Sequence, residues 1–325
     1  MEAVGQVFPK AMLQFEDFAT EHAIALLERY RNEMCTFNDD IQGTAGVTLA
    51  GLMAALRVTN GKLKEQTLLF VGAGSANTGI GELVAGAIAD QGMDLAAARR
   101  RCWFMDSKGL IVKGRDRLKP HTLPWAHEHE PVTGIANAIE ALRPTVLIGA
   151  TGQQGIFDRE VIEAMSRAHE RPVVFALSNP TSRSEATAEE VYGWSEGRAV
   201  FASGSPFDPV TVHGKTFVPG QSNNVYIFPG IGLGVTACRI RRVTDEMFRV
   251  AAQAVAGMVT EANLDQGRLF PELERIREVS LAIAIGISRL AFEHGLAGID
   301  EPEDLREHIA TRMYDPNYES PASGS

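Results

Sequence analysis

Four carboxylates stand in two adjacent pairs, Glu16 and Asp17 in "LQFEDF" and Asp39 and Asp40 in "CTFNDDIQGT". Taken singly, Asp39 or Asp40 reads as a helix cap, and Glu16 and Asp17 as polar decoration at a strand end. The stretch that follows, "TAGVTLAGLMAAL" from 44 to 56, carries no charge on any face, which makes it a buried helix. Charges at the mouth of a buried helix must be paired or bound to a cation. Three or four converging carboxylate oxygens suit a hard divalent ion, Mg2+ or Mn2+, that keeps open positions for water or substrate. Neighbours on a regular strand point to opposite faces, so Glu16 and Asp17 can share an ion only where the backbone is irregular. A strand-to-helix junction permits that.

A second group of residues suits phosphate chemistry. "VGAGSANTGIG" lies between an apolar run and a helical pattern, so Gly72, Ala73, Gly74, Ser75, Ala76 and Asn77 form a candidate dinucleotide loop. Gly72 permits the tight turn, Gly74 lets the backbone approach a pyrophosphate, and the next helix offers its N-terminal N–H groups. The sixth position, where Gly or Ala packs strand against helix, is Asn77, and Gly79 and Gly81 are placed to relieve the crowding. Asp106 closes the next strand, where a carboxylate binds ribose hydroxyls and points to NAD. Ser107 and Lys108 follow it and suit a 2′-phosphate, so the cofactor is NAD or NADP. Asn179 in "ALSNPTSR" and Asn223 with Asn224 in "GQSNNVYIFPG" can donate to a substrate carboxylate or to a nicotinamide carboxamide. Turn chemistry explains those asparagines equally well.

The elements that must hold these groups alternate in type. Apolar runs at 66–74, 101–106, 144–151, 171–179 and 198–205 are separated by helical patterns, the signature of a doubly wound parallel sheet of Rossmann type. That α/β domain is placed at 41–225. Residues 1–40, with a strand in "KAMLQFED" and a helix near 18–33, and the helical stretch 226–297 form the remainder of a second, incomplete domain for metal and substrate. Residues 298–325 are a C-terminal extension whose tail "DPNYESPASGS" is expected to fray.

Composition narrows the functional classes. The 325 residues carry a formal net charge of -10, which removes the basic footprint of a nucleic-acid binder. Cys35, Cys102 and Cys238 are scattered, so reduced thiols in the cytoplasm or an organelle matrix are expected. Neither a signal peptide nor a membrane span is read from the sequence. His127 and His129 read as a solvated loop, and Cys35 as a core thiol.

Together the segments "LQFEDFATEHAIALLERYRNEMCTFNDDIQGTAGVTLAGL", "VGAGSANTGIGEL", "FMDSKGLIVKGR", "FALSNPTSRSEA", "FASGSPFDPV" and "GQSNNVYIFPGIGLG" resemble the malic enzymes, from about residue 8 to about 300. The resemblance implies oxidative decarboxylation of malate to pyruvate and CO2 with reduction of NAD or NADP, assisted by Mg2+ or Mn2+. It implies that Glu16, Asp17 and Asp40 are metal ligands and that Asp39 orients or tunes the catalytic base. Asn179 and Asn224 resemble the family's amides at malate and nicotinamide, with Asn223 beside them. It also implies a homo-oligomer, dimer or tetramer. The family's tyrosine acid, lysine base and malate-binding arginine have no counterpart assignable by motif. The chain is therefore expected to be the C-terminal portion of such an enzyme, binding dinucleotide alone but turning over malate poorly or not at all. Two alternatives are a Rossmann-fold dehydrogenase of the amino-acid or shikimate type and a non-catalytic nucleotide-binding partner module.

Overall fold

The computed structural model describes residues 1–314; the tail expected to fray lies outside the described residues. In chain order the elements begin with α1 (Glu2–Val7), β1 (Leu13–Phe15), α2 (Thr20–Tyr30) and β2 (Thr36–Asn38), then a π turn at Asp39–Gly43 that runs into α3 (Thr44–Thr59). β3 (Leu68–Val71) leads into α4 (Ser75–Ala89), α5 (Leu95–Arg99), β4 (Cys102–Asp106) and the two-residue β5 (Gly109–Leu110). α6 (Ile135–Leu142), β6 (Val146–Gly149), α7 (Arg159–Ala168), β7 (Val173–Ala176), α8 (Ala188–Trp194) and β8 (Val200–Ser203) continue the alternation. A hairpin, β9 (Val210–Val212) and β10 (Lys215–Phe217), precedes β11 (Gly220–Gln221). Helices α9 (Phe228–Cys238), α10 (Asp245–Gly257), α11 (Glu261–Asp265), α12 (Ile276–Glu293) and α13 (Leu305–Ala310) complete the described chain.

All five strands expected from the apolar runs lie in one seven-stranded sheet, ordered β11-β8-β7-β6-β3-β4-β5 and parallel except for β5 at the edge. The chain enters at β3, moves outward to β4, then returns to the other side of β3 as β6. That reversal opens a crevice at the carboxyl ends of β3 and β6, where doubly wound sheets bind ligands. Every residue of β3, β6, β7 and β8 is buried, as strands covered on both faces must be. Alternate side chains feed two apolar layers. Leu68 and Phe70 join Leu49, Ile88, Ile231 and Phe248 on one face, and Leu69 and Val71 join Ile139, Ile162 and Phe201 on the other.

The uncharged helix α3 lies inside the first layer, with Leu49, Ala50 and Leu52 fully buried. The stretch Asp39–Thr59 is long and apolar enough to cross a membrane by length and composition, yet 78% of its apolar window is buried inside this fold. Helices α9, α10 and α12 contribute Val235, Met247 and Ile283 to the same cluster. Close packing there needs glycine: a Cβ on Gly234 would lie 2.7 Å from Ile287 of α12.

Candidate active site

The first cluster is built by two three-residue strands. β1 and β2 pair in parallel with Phe15 opposite Asn38, so Glu16 and Asp17 leave the ladder at the same end as Asp39 and Asp40. Asp17 then adopts a left-handed conformation, with φ of 58°. Aspartate tolerates that region better than most residues, and the turn removes the opposite-face problem of two neighbours on one strand. One carboxylate oxygen from each of Glu16, Asp17 and Asp40 lies within 4.8 Å of the others. The Asp17 N–H donates to Asp40 Oδ2 at 2.8 Å, which fixes the second pair against the first.

Neither acid of the second pair caps the helix. α3 starts behind Gly43 without a side-chain cap, and the π turn ahead of it is capped by Asn38, whose side chain accepts from the Ile41 N–H at 2.9 Å. The π turn over Asp39–Gly43 inserts a residue ahead of α3, a departure frequent at functional sites. Gln42 braces it: its Oε1 accepts from the Asn38 N–H at 3.1 Å and its Nε2 donates to Asp245 Oδ1 at 2.7 Å. Asp245 is held in turn by Arg31 at 2.7 Å. No motif in the sequence marks this Gln42–Asp245–Arg31 strut, in which Asp245 lies more than 200 residues from both partners.

Asp39 is 3% exposed. Burial pushes its pKa up to about 6, with the Glu16 and Asp40 charges adding to the effect and a hydrogen bond from Asn224 opposing it. Asn224 Nδ2 donates to Asp39 Oδ2 at 2.9 Å and to the Asp39 carbonyl at 3.1 Å. Asp39 Oδ1 is buried without a hydrogen-bond partner among the described residues. It presses on Gly43, where a Cβ would come within 2.0 Å. Asp40 is also raised, mainly by burial and then by the Asp17 charge, against the Asp17 N–H bond. Three clustered acids and a fourth desolvated beside them make a set of hard oxygen donors short of positive charge.

The second site lies at the switch point. A cleft of about 570 Å³ is lined by Gly72, Ala73, Gly74, Asp106, Ser107 and Thr151, among others. Gly72 turns the chain at φ 95°. Gly74 is the N-cap of α4 and provides no side-chain cap, so the first N–H groups of a 15-residue helix face the cleft unclaimed by a side chain. Asn77 is fully buried and folds back, donating to the carbonyls of Val71 and Gly72 at 2.8 and 2.9 Å. Close approach is supplied by the two later glycines instead. A Cβ on Gly79 would lie 2.7 Å from Ile41, and one on Gly81 would lie 2.6 Å from Phe104 of β4. Thr20, at the start of α2, lines the cleft and accepts from Ser75 Oγ at 3.3 Å, so the acid-bearing segment abuts the phosphate loop.

Asp106 is not free. Its Oδ1 accepts from the Lys108 N–H at 2.8 Å, and its Oδ2 is ion-paired to Arg115, which also donates to the Gly109 and Leu110 carbonyls. Arg115 closes the segment "FMDSKGLIVKGR", but nothing in that sequence marks it as the partner of Asp106.

The asparagines divide. Asn224 joins Asp39, and Asn223 caps a short turn by accepting from the Val225 N–H at 2.9 Å. Asn179 is exposed at the carboxyl end of β7, ahead of a cis Asn179–Pro180 bond. The histidine pair stays apart from both clusters, but His127 is buried rather than solvated, packed against Trp103 and bonding the Cys102 carbonyl at 2.8 Å. Cys35 donates to the Ile240 carbonyl, and burial pushes its thiol up to about 11, as suits a core residue.

A family model described as "Malic enzyme, NAD binding domain" matches residues 41–292. The chain is 51% identical over 324 residues to the chloroplastic NADP-dependent malic enzyme of Oryza sativa subsp. japonica, covering 98% of this chain and 51% of that protein. It is 47% identical over 322 residues to the NADP-dependent malic enzyme of Rattus norvegicus, covering 98% and 56%. Thus the chain spans about half the length of the curated relatives it matches. The crystal structure of Entamoeba histolytica malic enzyme superposes with a TM-score of 0.78 at 25% identity, covering 96% of this chain and 60% of that one. That of Pyrococcus horikoshii malic enzyme gives 0.77 at 27%, covering 95% and 68%.

Proposed function

The chain belongs to the malic enzyme family, and from that premise we propose that it takes part in the oxidative decarboxylation of malate to pyruvate and CO2 with reduction of NADP, assisted by Mg2+ or Mn2+. The observation that carries this reading is the convergence of Glu16, Asp17 and Asp40 within 4.8 Å, next to a dinucleotide cleft that Thr20 and Ser75 bring alongside. A dehydrogenase that only moves hydride has no use for such a set of hard oxygens. Glu16, Asp17 and Asp40 would hold the divalent ion. When bound, that ion would supply Lewis acidity toward the hydroxyl oxygen of malate and the charge that develops there.

The remaining work falls to the chain's own groups. Gly72 and Gly74 admit the pyrophosphate to the N-terminus of α4. Asn224 fixes the Asp39 carboxyl and leaves Asp39 Oδ1 unpartnered among the described residues, suited to orienting a proton-transfer partner. Among the described residues the bonds to the Asp39 and Asp40 carboxyls come from Asn224 and the Asp17 N–H. Slow malate turnover by the 325 residues alone is the expectation, and binding is the sharper readout. In Mn2+ titrations followed by electron paramagnetic resonance, malate added with NADP+ is expected to tighten the bound ion about tenfold, by linkage through a ternary complex. An ion whose affinity ignores malate at every dinucleotide concentration would overturn the proposal.

NADP over NAD is part of the same proposal. Both oxygens of Asp106 are occupied and its charge is balanced by Arg115, while Ser107 and Lys108 stand exposed at the turn. A neutralised acid repels a 2′-phosphate less and has less to offer a free ribose hydroxyl. Arg115→Leu should therefore weaken NADP+ about tenfold and leave NAD+ within about threefold, a difference of roughly 1 kcal/mol. Equal losses for both cofactors, measured by titration calorimetry, would count against it.

A further inference from the structure

Glu185 is the most buried acid in the described structure's dinucleotide half, at 0% exposure, and no cation pairs with it among the described residues. Hydrogen bonds take the place of a counter-ion. Its Oε1 accepts from the Thr151 N–H at 2.7 Å, from Thr151 Oγ1 at 2.8 Å and from Ser178 Oγ at 2.5 Å, and its Oε2 accepts from the Ser178 N–H at 3.1 Å. Three of these bonds converge on Oε1, and the Thr151 N–H is shared between it and Ser178 Oγ.

The direction of each bond is fixed. Ser178 Oγ accepts from the N–H groups of Thr151 and Gly152 at 3.0 and 2.8 Å, so its single proton must go to Glu185. Thr151 Oγ1 accepts from the Gln153 N–H at 3.1 Å, and its proton too points at Glu185. A chain of donors from two loops thus ends on one acid. The first loop follows β6 and the second follows β7, and both stand on the far side of the switch point from Asp106. A dinucleotide whose adenosine end lies over β4 and whose pyrophosphate lies at Gly74 must carry its nicotinamide end across to these loops. Room for the acid is also reserved: a Cβ on Gly149 would meet the Glu185 side chain at 2.7 Å.

We infer that Glu185 is a positioning residue that sets the Thr151–Gln153 and Ser178–Asn179 loops for the nicotinamide half of the dinucleotide. The inference rests on the dinucleotide reading of the cleft. Glutamine has nearly the same shape but only one accepting oxygen, so its amide N–H2 must oppose either the Ser178 N–H or the three donors on Oε1. The loops must then shift, while Gly72, Gly74 and Asp106 keep their places.

The test compares NADP+ with adenosine 2′,5′-bisphosphate, which fills only the adenosine end, by titration calorimetry on the whole chain. Glu185→Gln is expected to weaken NADP+ about tenfold or more and the fragment by no more than about twofold. A merely structural role would weaken both alike, and that result would overturn the inference. Thr151→Val, which removes one donor without emptying the core, should repeat the split at smaller amplitude, and Thr151→Ser should restore native affinity. These variants decide the matter should Glu185→Gln not fold, and native behaviour in Thr151→Val would then overturn it. Failure of the unaltered chain to bind either probe would instead sink the dinucleotide reading, and this inference with it.

Discussion

Asp40→Asn is expected to weaken Mn2+ binding about a hundredfold or more while the metal-free protein keeps its fold. The change removes one anionic donor of three and nothing else of that size. Asparagine can still accept the Asp17 N–H that now bonds Asp40 Oδ2 at 2.8 Å, so the junction between the two strand ends is retained. It also takes one charge out of a crowded group, since Asp40 sits beside Asp17 and contributes to raising Asp39. Less repulsion in the metal-free state means melting temperature without metal should hold or rise. The two readouts therefore move in opposite directions, which general destabilisation cannot produce. Native Mn2+ affinity in this variant, by electron paramagnetic resonance of the free ion, would remove Asp40 from the ligand set. A fall in metal-free melting temperature alongside lost binding would mean that Asp40 acts through the fold.

The sheet was legible because its signals are local. Each of the runs "LLFV", "VLIG", "VVFA" and "VFAS" is buried on both faces, and apolar content alone identifies such strands. The hairpin over Val210–Phe217 was not read, because its alternation spans three residues a side around His213–Gly214. The acids of the candidate site were legible as types, and their meeting was not. It depends on parallel pairing of two three-residue strands in a register that puts Phe15 opposite Asn38, and on the left-handed turn at Asp17. Asn77 shows the limit of a motif. In sequence it looks like a poor substitute for a small residue, yet it secures the turn by bonding two strand-end carbonyls. Arg115, Gln42 and Glu185 lie within the segments that carry the resemblance, but their roles are not legible there, because a single polar residue leaves no periodic trace of its partners.

Those partnerships also separate fold from ligand within the phosphate loop, where Gly72 and Gly74 predict different failures. At Gly72 the backbone holds φ of 95°, and an added Cβ would lie 2.9 Å from the Ala150 carbonyl oxygen. Gly72→Ala should cost about 1–3 kcal/mol of stability from backbone strain and should lose dinucleotide affinity as the loop moves. At Gly74 the backbone is extended, with φ of -84° and ψ of -179°, and its Cβ would meet only Thr20 Oγ1 at 3.7 Å. The free protein can therefore accept a side chain there, losing about 1 kcal/mol or less from a poorer N-cap. In the cleft that side chain occupies the approach to the N–H groups of α4. Gly74→Val is thus expected to weaken NADP+ about a hundredfold or more with little change in melting temperature. Binding of NADP+ within about threefold of native, measured on a protein that melts normally, would mean that phosphates do not sit at the start of α4. Loss of affinity in Gly72→Ala alone would then reflect a damaged loop, so the valine at Gly74 is the variant that decides where the pyrophosphate lies.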